Sequence, residues 1–313
     1  MDLKKTMMSL LLVAQASVGF TMKADSTGLP GDHFSLEAAL AMFKESSSIE
    51  DFEKRINHSN NGVNNLDLNQ DGRVDFLSVR TDGSGSDRAL VITAALGKGD
   101  RQDVAVIEIV RQGKESALLQ IVGDEDLYGE IKVVEPFEET DMEDDKGPLT
   151  TVDSKADIWI NVWYWPCVSW FYGPGYIVYV SPWYWDFYPG WWSPWPPYTF
   201  VVFYGYFAPY HYHYHHVHTH RTHHIHQAVY MPRREQSAIV KERYRKPVEE
   251  YRKANTAKPV IQREPPPRVK PEPAPKSKPD RPQNRQDIQE KPSKPRQAPP
   301  RQRPAPRKPG NPR

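Results

Sequence analysis

Apolar residues first recur at helical spacing after Ser35, where Leu36, Leu40 and Phe43 fall on one side of a helix. Ser48 followed by Asp51 is a capping-box-like start for a second helix, whose stripe is Ile49, Phe52 and Ile56. From Val74 the period changes. Five runs, over 74–80, 89–96, 104–111, 116–122 and 128–134, are rich in Val, Ile and Leu, and Gly and Asp punctuate the intervals between them. The pattern predicts an α+β domain, two short N-terminal helices followed by an antiparallel β-meander of about five strands. Several runs are apolar at odd and even positions alike, as in Ala105, Val106, Ile107 and Ile109. Such strands predict a sheet covered on both faces, one of them by the two helices.

Beyond the last run the composition shifts. Residues 135–145 are acidic, and Gly147 with Pro148 marks a boundary. All nine tryptophans lie between Trp159 and Trp195, interleaved with Tyr, Pro and Gly, and nine of the eleven histidines follow between His211 and His226. The remainder is Pro, Arg, Lys and Gln, too poor in apolar residues to offset its ordering entropy. The expected organisation is a leader over 1–24, the α+β domain over 25–147 and an aromatic, Pro- and Gly-rich segment over 148–210. A His-rich tract over 211–226 and a disordered Pro/Arg/Lys-rich tail over 227–313 complete it, the tail broken only by a short helix over 238–245. The leader reading rests on Lys4 and Lys5, an apolar run of about fourteen residues and small residues near Ala24. It implies export, to the periplasm, the outer membrane or the medium. The run is shorter than the roughly twenty residues of a spanning helix, and prolines interrupt the later apolar stretch over 158–209.

Charge divides the chain further. The net charge of +1 conceals a tail from Pro232 onward with 24 Lys and Arg against 9 Asp and Glu, which leaves residues 25–231 strongly acidic. A basic tail of this kind suits the acidic body itself, an anionic envelope surface or, less well, nucleic acid, each through a salt-sensitive attraction. With Cys167 as the single cysteine, no intramolecular disulfide can form. Stability must come from packing or metal.

Two stretches carry ligand chemistry. Asp67, Asn69, Asp71, Gly72 and Asp75 set oxygen side chains at alternate positions with a glycine at the sharp turn. That spacing suits a hard dication, with Asp67, Asn69 and Asp71 converging and the Arg73 backbone carbonyl and Asp75 closing the site. An Asx-rich turn that satisfies its own backbone is the plainer alternative. The nine residues resemble the first half of an EF-hand loop, and more closely the Asp-x-Asn-x-Asp-Gly-x-x-Asp segments of FG-GAP-type repeats and dockerins. The resemblance implies a structural Ca²⁺, although Ser78 stands where an EF-hand has its bidentate Glu. The run from Phe52 to Glu135, including residues 64–69, 103–109 and 121–130, is similar to a group of exported bacterial proteins, a likeness that implies no activity.

The second stretch is the His tract. His211, His213 and His215 alternate with Tyr212 and Tyr214, which puts three imidazoles on one side of an extended segment, and His216, His218, His220, His223, His224 and His226 continue the supply. Neutral imidazole ligates Zn²⁺, Cu²⁺ or Ni²⁺. The aromatic segment offers flat faces with polar edges, suited to packing on the domain, to glycans or to another envelope protein. For catalysis, Cys167 has no base at a recognisable spacing, and the carboxylates Glu108, Asp124, Glu125, Asp126 and Glu130 read as solvated strand ends rather than a glycosidase pair. Three functional classes follow. The leading one is a non-enzymatic envelope or secreted protein, calcium-stabilised and interacting through its tail; the others are a transition-metal binder using the His tract and an exported hydrolase.

Overall fold

The computed structural model describes residues 26–137, 159–255 and 261–262. The leader, residues 138–158 with most of the acidic boundary, residues 256–260 and the tail beyond residue 262 lie outside them. The two helices form where their caps start them. The Ser35 hydroxyl accepts from the Ala38 amide to open α1 (Leu36–Glu45), and Ser48 accepts from Asp51 to open α2 (Ile49–Ile56). Each cap satisfies an amide that has no partner within its own helix. Phe43 of α1 and Phe52 of α2 meet edge to face at 5.4 Å, and both are fully buried.

The strands β1 (Leu77–Asp82), β2 (Asp87–Gly97), β3 (Asp100–Gly113), β4 (Ser116–Gly123) and β5 (Lys132–Pro136) pair in sequence order, each antiparallel to the next. This is the expected meander within an α+β fold. One boundary differs: residues 125–128 form a short helix, α3 (Glu125–Tyr128), capped by Asp124. A sixth strand, β6 (Tyr214–Val217), comes from the His tract and adds to β5.

Alternation along the strands builds two cores. Leu90 and Ile92 of β2, Ala105, Ile107 and Ile109 of β3 and Leu119 and Ile121 of β4 join the residues of α1 and α2 in the main core. Ala89 and Val91, Val106 and Val110, Leu118 and Val122, and Val133 face the other way and pack with Ile225 and Tyr230. The second face is therefore covered by the chain that follows β6, which explains why the strands are apolar at both parities.

The aromatic segment packs on the domain without long regular elements. In α4 (Pro166–Phe171), Cys167, Val168 and Phe171 enter the main core, and α5 (Phe200–Phe207) adds Phe203 and Phe207. The free edge of β1 is covered: Thr81 donates to the Tyr179 carbonyl at 2.8 Å and Ser181 to that of Val79 at 2.9 Å. Pairing an edge in this way removes a template for aggregation. Arg88 lies over Tyr176 at 4.7 Å and Arg111 over Trp163 at 4.9 Å, fastening the aromatic rings to β2 and β3. Ile177, Val178 and Tyr184 remain exposed.

After Val217 the chain forms β7 (Thr219–His220), paired in parallel with β8 (Ile261–Gln262), and the short α6 (His223–Ile225). The helix α7 (Ala238–Ala254) starts at the expected residue, capped by the Ser237 hydroxyl, but runs nine residues past the expected end at 245. Order in residues 227–255, read from the sequence as the start of an unfolded tail, comes from charge complementarity as well as apolar burial. Arg234 donates to Asp124 at 2.6 and 2.7 Å and to Asp126 at 2.9 Å, Arg233 pairs with Asp82, and Arg252 donates to the Gly129 carbonyl at 2.7 Å. The acidic body and the first part of the basic segment thus neutralise one another. Among the described residues, no helix is long and apolar enough to cross a membrane.

Candidate metal centre

Glu108 occupies the middle of β3, on the same face as Val106 and Val110. Its cross-strand partner on β4 is Gln120, whose amide donates to Glu135 of β5 at 2.8 Å. A polar row thus crosses an otherwise apolar sheet face, and buried polar groups of this kind must find partners. They find them in the chain between Thr219 and Tyr230. The Arg221 amide donates to Gln120 Oε1 at 2.7 Å, registering the segment over the row. A single π-type turn, His226–Tyr230, then follows α6; such turns re-aim side chains and are frequent at functional sites.

His220 Nε2 lies 2.8 Å from Glu108 Oε2 and His226 Nδ1 lies 2.7 Å from Glu108 Oε1. Thr222 Oγ1 donates to Glu108 Oε2 at 2.5 Å. Side-chain exposure is 0% for Glu108, 1% for His220 and 8% for His226. Burial opposes a charge on Glu108, yet the hydrogen bonds and charge of the two histidines outweigh it and hold the carboxyl below its usual range. One ligand atom from each residue lies within 4.8 Å of the other two, so the group can hold a metal ion.

The donor set fits a borderline transition-metal ion, since two imidazoles and one carboxylate form a common three-ligand combination for Zn²⁺. His220 Nδ1 is buried without a hydrogen-bond partner. Thr222 supplies the outer contact that orients a ligating carboxylate. His226 also lines a cleft of about 160 Å³ with Asp124, Tyr230 and Arg234. In that cleft Asp124 is pushed up to about 6, burial outweighing its pairing with Arg234.

The histidines read from the sequence as one tract separate in space. His220 and His226 reach Glu108, whereas His211 and His216 lie on the opposite sheet face near Glu37 of α1, and His224 lies 3.5 Å from Asp87. His215 packs against Phe137 with ring centroids 4.4 Å apart, His223 packs against His220, and His213 and His218 are exposed. The expected one-sided array of His211, His213 and His215 does not form. Residues 208–212 are a 3₁₀ turn with Pro209 in its first positions, and extended pairing starts only at Tyr214.

In the calcium-type loop the backbone winds around the acidic side chains. The Asp71 amide donates to Asp67 Oδ1 at 3.0 Å and to Asn69 Oδ1 at 2.9 Å, Gly72 to Asp67 Oδ2 at 3.0 Å, and Arg73 to Asp71 Oδ1 at 2.9 Å. Gly72 has φ +81°, a conformation that favours glycine, and Gln70, two residues earlier, is also in the left-handed region at 58°. Asp75 is buried, accepts from the Leu68 amide at 2.7 Å and is pushed up to about 8 by burial and by Asp67 and Asp71. Asp67, Asp71 and Asp75 do not form a mutually close metal-ligand group as Glu108, His220 and His226 do.

The carboxylates read as solvated strand ends behave otherwise. Glu108 is at the centre of a buried face, and Asp124, Glu125 and Asp126 are gathered by Arg234. Cys167 is buried in the main core, its thiol pushed up to about 12 by burial and by Asp51 and Glu50. Sequence reasoning named His220 and His226 but missed Glu108 as their partner. The available signal was a single carboxylate inside the run Val104–Val110, in a strand apolar at both parities. Comparison of the chain with protein-family models, curated proteins and solved structures gives no match.

Proposed function

We propose that this chain is a transition-metal-binding protein in which an ion held by Glu108, His220 and His226 fastens the segment over 217–230 to the second face of the sheet. The observation that supports this reading most is the convergence of the three buried ligands within 4.8 Å. Two neutral imidazoles and one carboxylate around a dication leave a net +1 and a fourth position for water, and the burial of the three ligands favours a slow-exchanging ion. The leader pattern adds an expectation of export, where such an ion would be taken up outside the cytoplasm.

The test is thermal unfolding of the full chain with and without Zn²⁺, alongside Glu108→Gln. A ligand that binds only the folded state raises stability by about 2.7 kcal/mol at a hundredfold excess over Kd. The expected outcome is a rise in the parent that is absent from the variant. An equal rise in both would assign the binding elsewhere, and no rise in either would reduce the group to a hydrogen-bonded triad.

A Ca²⁺ bound by Asp67, Asn69, Asp71, the Arg73 carbonyl and Asp75 is a second, independent reading. It is favoured by the negative charges of Asp67 and Asp71, which add to burial in raising Asp75 and which a dication would offset. Calorimetric titration with Ca²⁺ should show one site that Asp71→Ala removes.

A further inference from the structure

The segment that covers β1 has an outer edge of its own. The Tyr179 carbonyl accepts from the Thr81 amide and the Tyr179 amide donates to Thr81 Oγ1, both at 2.8 Å, while the Ser181 amide donates to the Val79 carbonyl at 2.9 Å. Val180 stands opposite Arg80 in antiparallel register. Main-chain groups alternate in direction along an extended chain, so those of Val178 and Val180 point away from β1. Among the described residues, none donates to them or accepts from them. Their side chains are 59% and 64% exposed, and Ile177 beside them is 73% exposed. The edge is short. Pro182 has no amide proton, and at the other end the Tyr176 amide turns back to the Gly173 carbonyl. The apolar strip continues along β1, where Tyr184 and Phe187 stack at 5.1 Å and Trp191 packs on Phe76, just before β1 begins. All three of Tyr184, Phe187 and Trp191 are exposed. Between residues 173 and 209 the one charged residue is Asp186, in a body that is otherwise strongly acidic.

We infer that this edge is the interface of a symmetric dimer, joined by antiparallel pairing with a second copy of the chain. A two-fold axis beside Tyr179 sets Val178 opposite Val180 of the second copy, and each such pair exchanges both of its main-chain hydrogen bonds. The valine side chains then meet on one face of a sheet that runs through both copies. The area suits this occupant. With ~150–250 Å² for a large side chain, the exposed fractions of Ile177, Val178, Val180, Tyr184, Phe187 and Trp191 amount to about 700 Å², close to the ~800 Å² per partner of a standard interface. Charge points the same way. The strip brings a single carboxylate from each copy and offers no cation to a nucleic acid or an anionic lipid surface, whereas copies that met through the acidic faces would repel. Pro182 and the turn at Gly173 stop the ladder, and the two-fold closes it, so growth ends at two copies.

The test is sedimentation velocity of the full chain at micromolar concentration, in low and high salt, for the parent, Val180→Pro and the pair Val178→Lys/Val180→Lys. The parent should sediment as a dimer that salt does not dissociate, because the strip carries almost no charge. Val180→Pro removes an outward amide that has no partner within the chain, and the lysine pair sets like charges opposite one another across the two-fold. Each should weaken the dimer at least about tenfold. The positions are exposed, so melting temperatures taken at concentrations where all three proteins are monomeric should agree, which separates lost association from lost folding. A monomeric parent overturns the inference, as does a dimer that keeps its parental affinity in either variant and so uses another face. A dimer that dissociates in high salt also overturns it, and assigns the contact to the basic tail of one copy on the acidic body of the other.

Discussion

Glu53 on α2 provides a measurement of how well the helix layer is sealed on the sheet. The side chain is buried, its Oε2 accepts from the Val79 amide at 3.0 Å, and Ser181 from the aromatic segment is the other hydrogen-bond partner. Burial is the main cause that pushes its carboxyl up to about 7 from 4.5, with Glu50 adding to it. The folded state therefore holds this proton more tightly than the unfolded state. The stability it contributes is fully present below pH 4.5 and is lost as pH rises toward and through 7. At about 1.4 kcal/mol per unit, the loss comes to about 3 kcal/mol. Glu53→Gln keeps an oxygen for the Val79 amide and removes the charge. Urea unfolding of both proteins from pH 4 to 8 should give a stability difference that grows in favour of the variant by about 3 kcal/mol across that range. Other titrating groups cancel in the difference. A flat difference curve would show that water reaches Glu53, and a curve of opposite sign would show that an unrecognised cation holds it ionised.

Other outcomes follow from the same structure. Arg234→Ala leaves the buried Asp124 without its cation and should cost about 3–5 kcal/mol. The cost should shrink in an Asp124→Asn background, and strict additivity in a double-mutant cycle by urea unfolding would contradict the pairing. Ser48→Ala removes the cap of α2 and should lower stability by about 1 kcal/mol, measured by thermal unfolding, where no change would mean the helix start is held by its tertiary contacts. Phe52→Ala opens a cavity between α1 and α2 and should cost about 3–5 kcal/mol; a loss below 1 kcal/mol in the same assay would mean that the helix pair is loosely packed.

Much of the architecture was legible because its signals are local. Ser35 and Ser48 start the helices they announce, the glycine and aspartate breaks separate the strands, and apolar residues at both parities forecast a sheet covered twice. What covers the second face was not legible. The covering chain is rich in His, Thr and Arg, and its fit depends on Glu108, Gln120 and Glu135 aligning across three strands, which is a matter of register rather than of any one run. The same reason hid the partners of the histidines. A tract of nine suggests metal through composition, but whether His211, His216, His220 and His226 meet carboxylates depends on β6 carrying the chain over the sheet edge. The longer α7 was missed because Arg252 in its last turn is held by Glu125 and the Gly129 carbonyl, distant partners that no local pattern records.

The most direct measurement is an anomalous difference map at the zinc edge from crystals of the full chain grown with Zn²⁺. The account expects a peak about 2.0–2.2 Å from one ring nitrogen each of His220 and His226 and from a carboxylate oxygen of Glu108. Zinc density at other histidines, with Glu108 still hydrogen-bonded to His220, His226 and Thr222 and no ion between them, would contradict it.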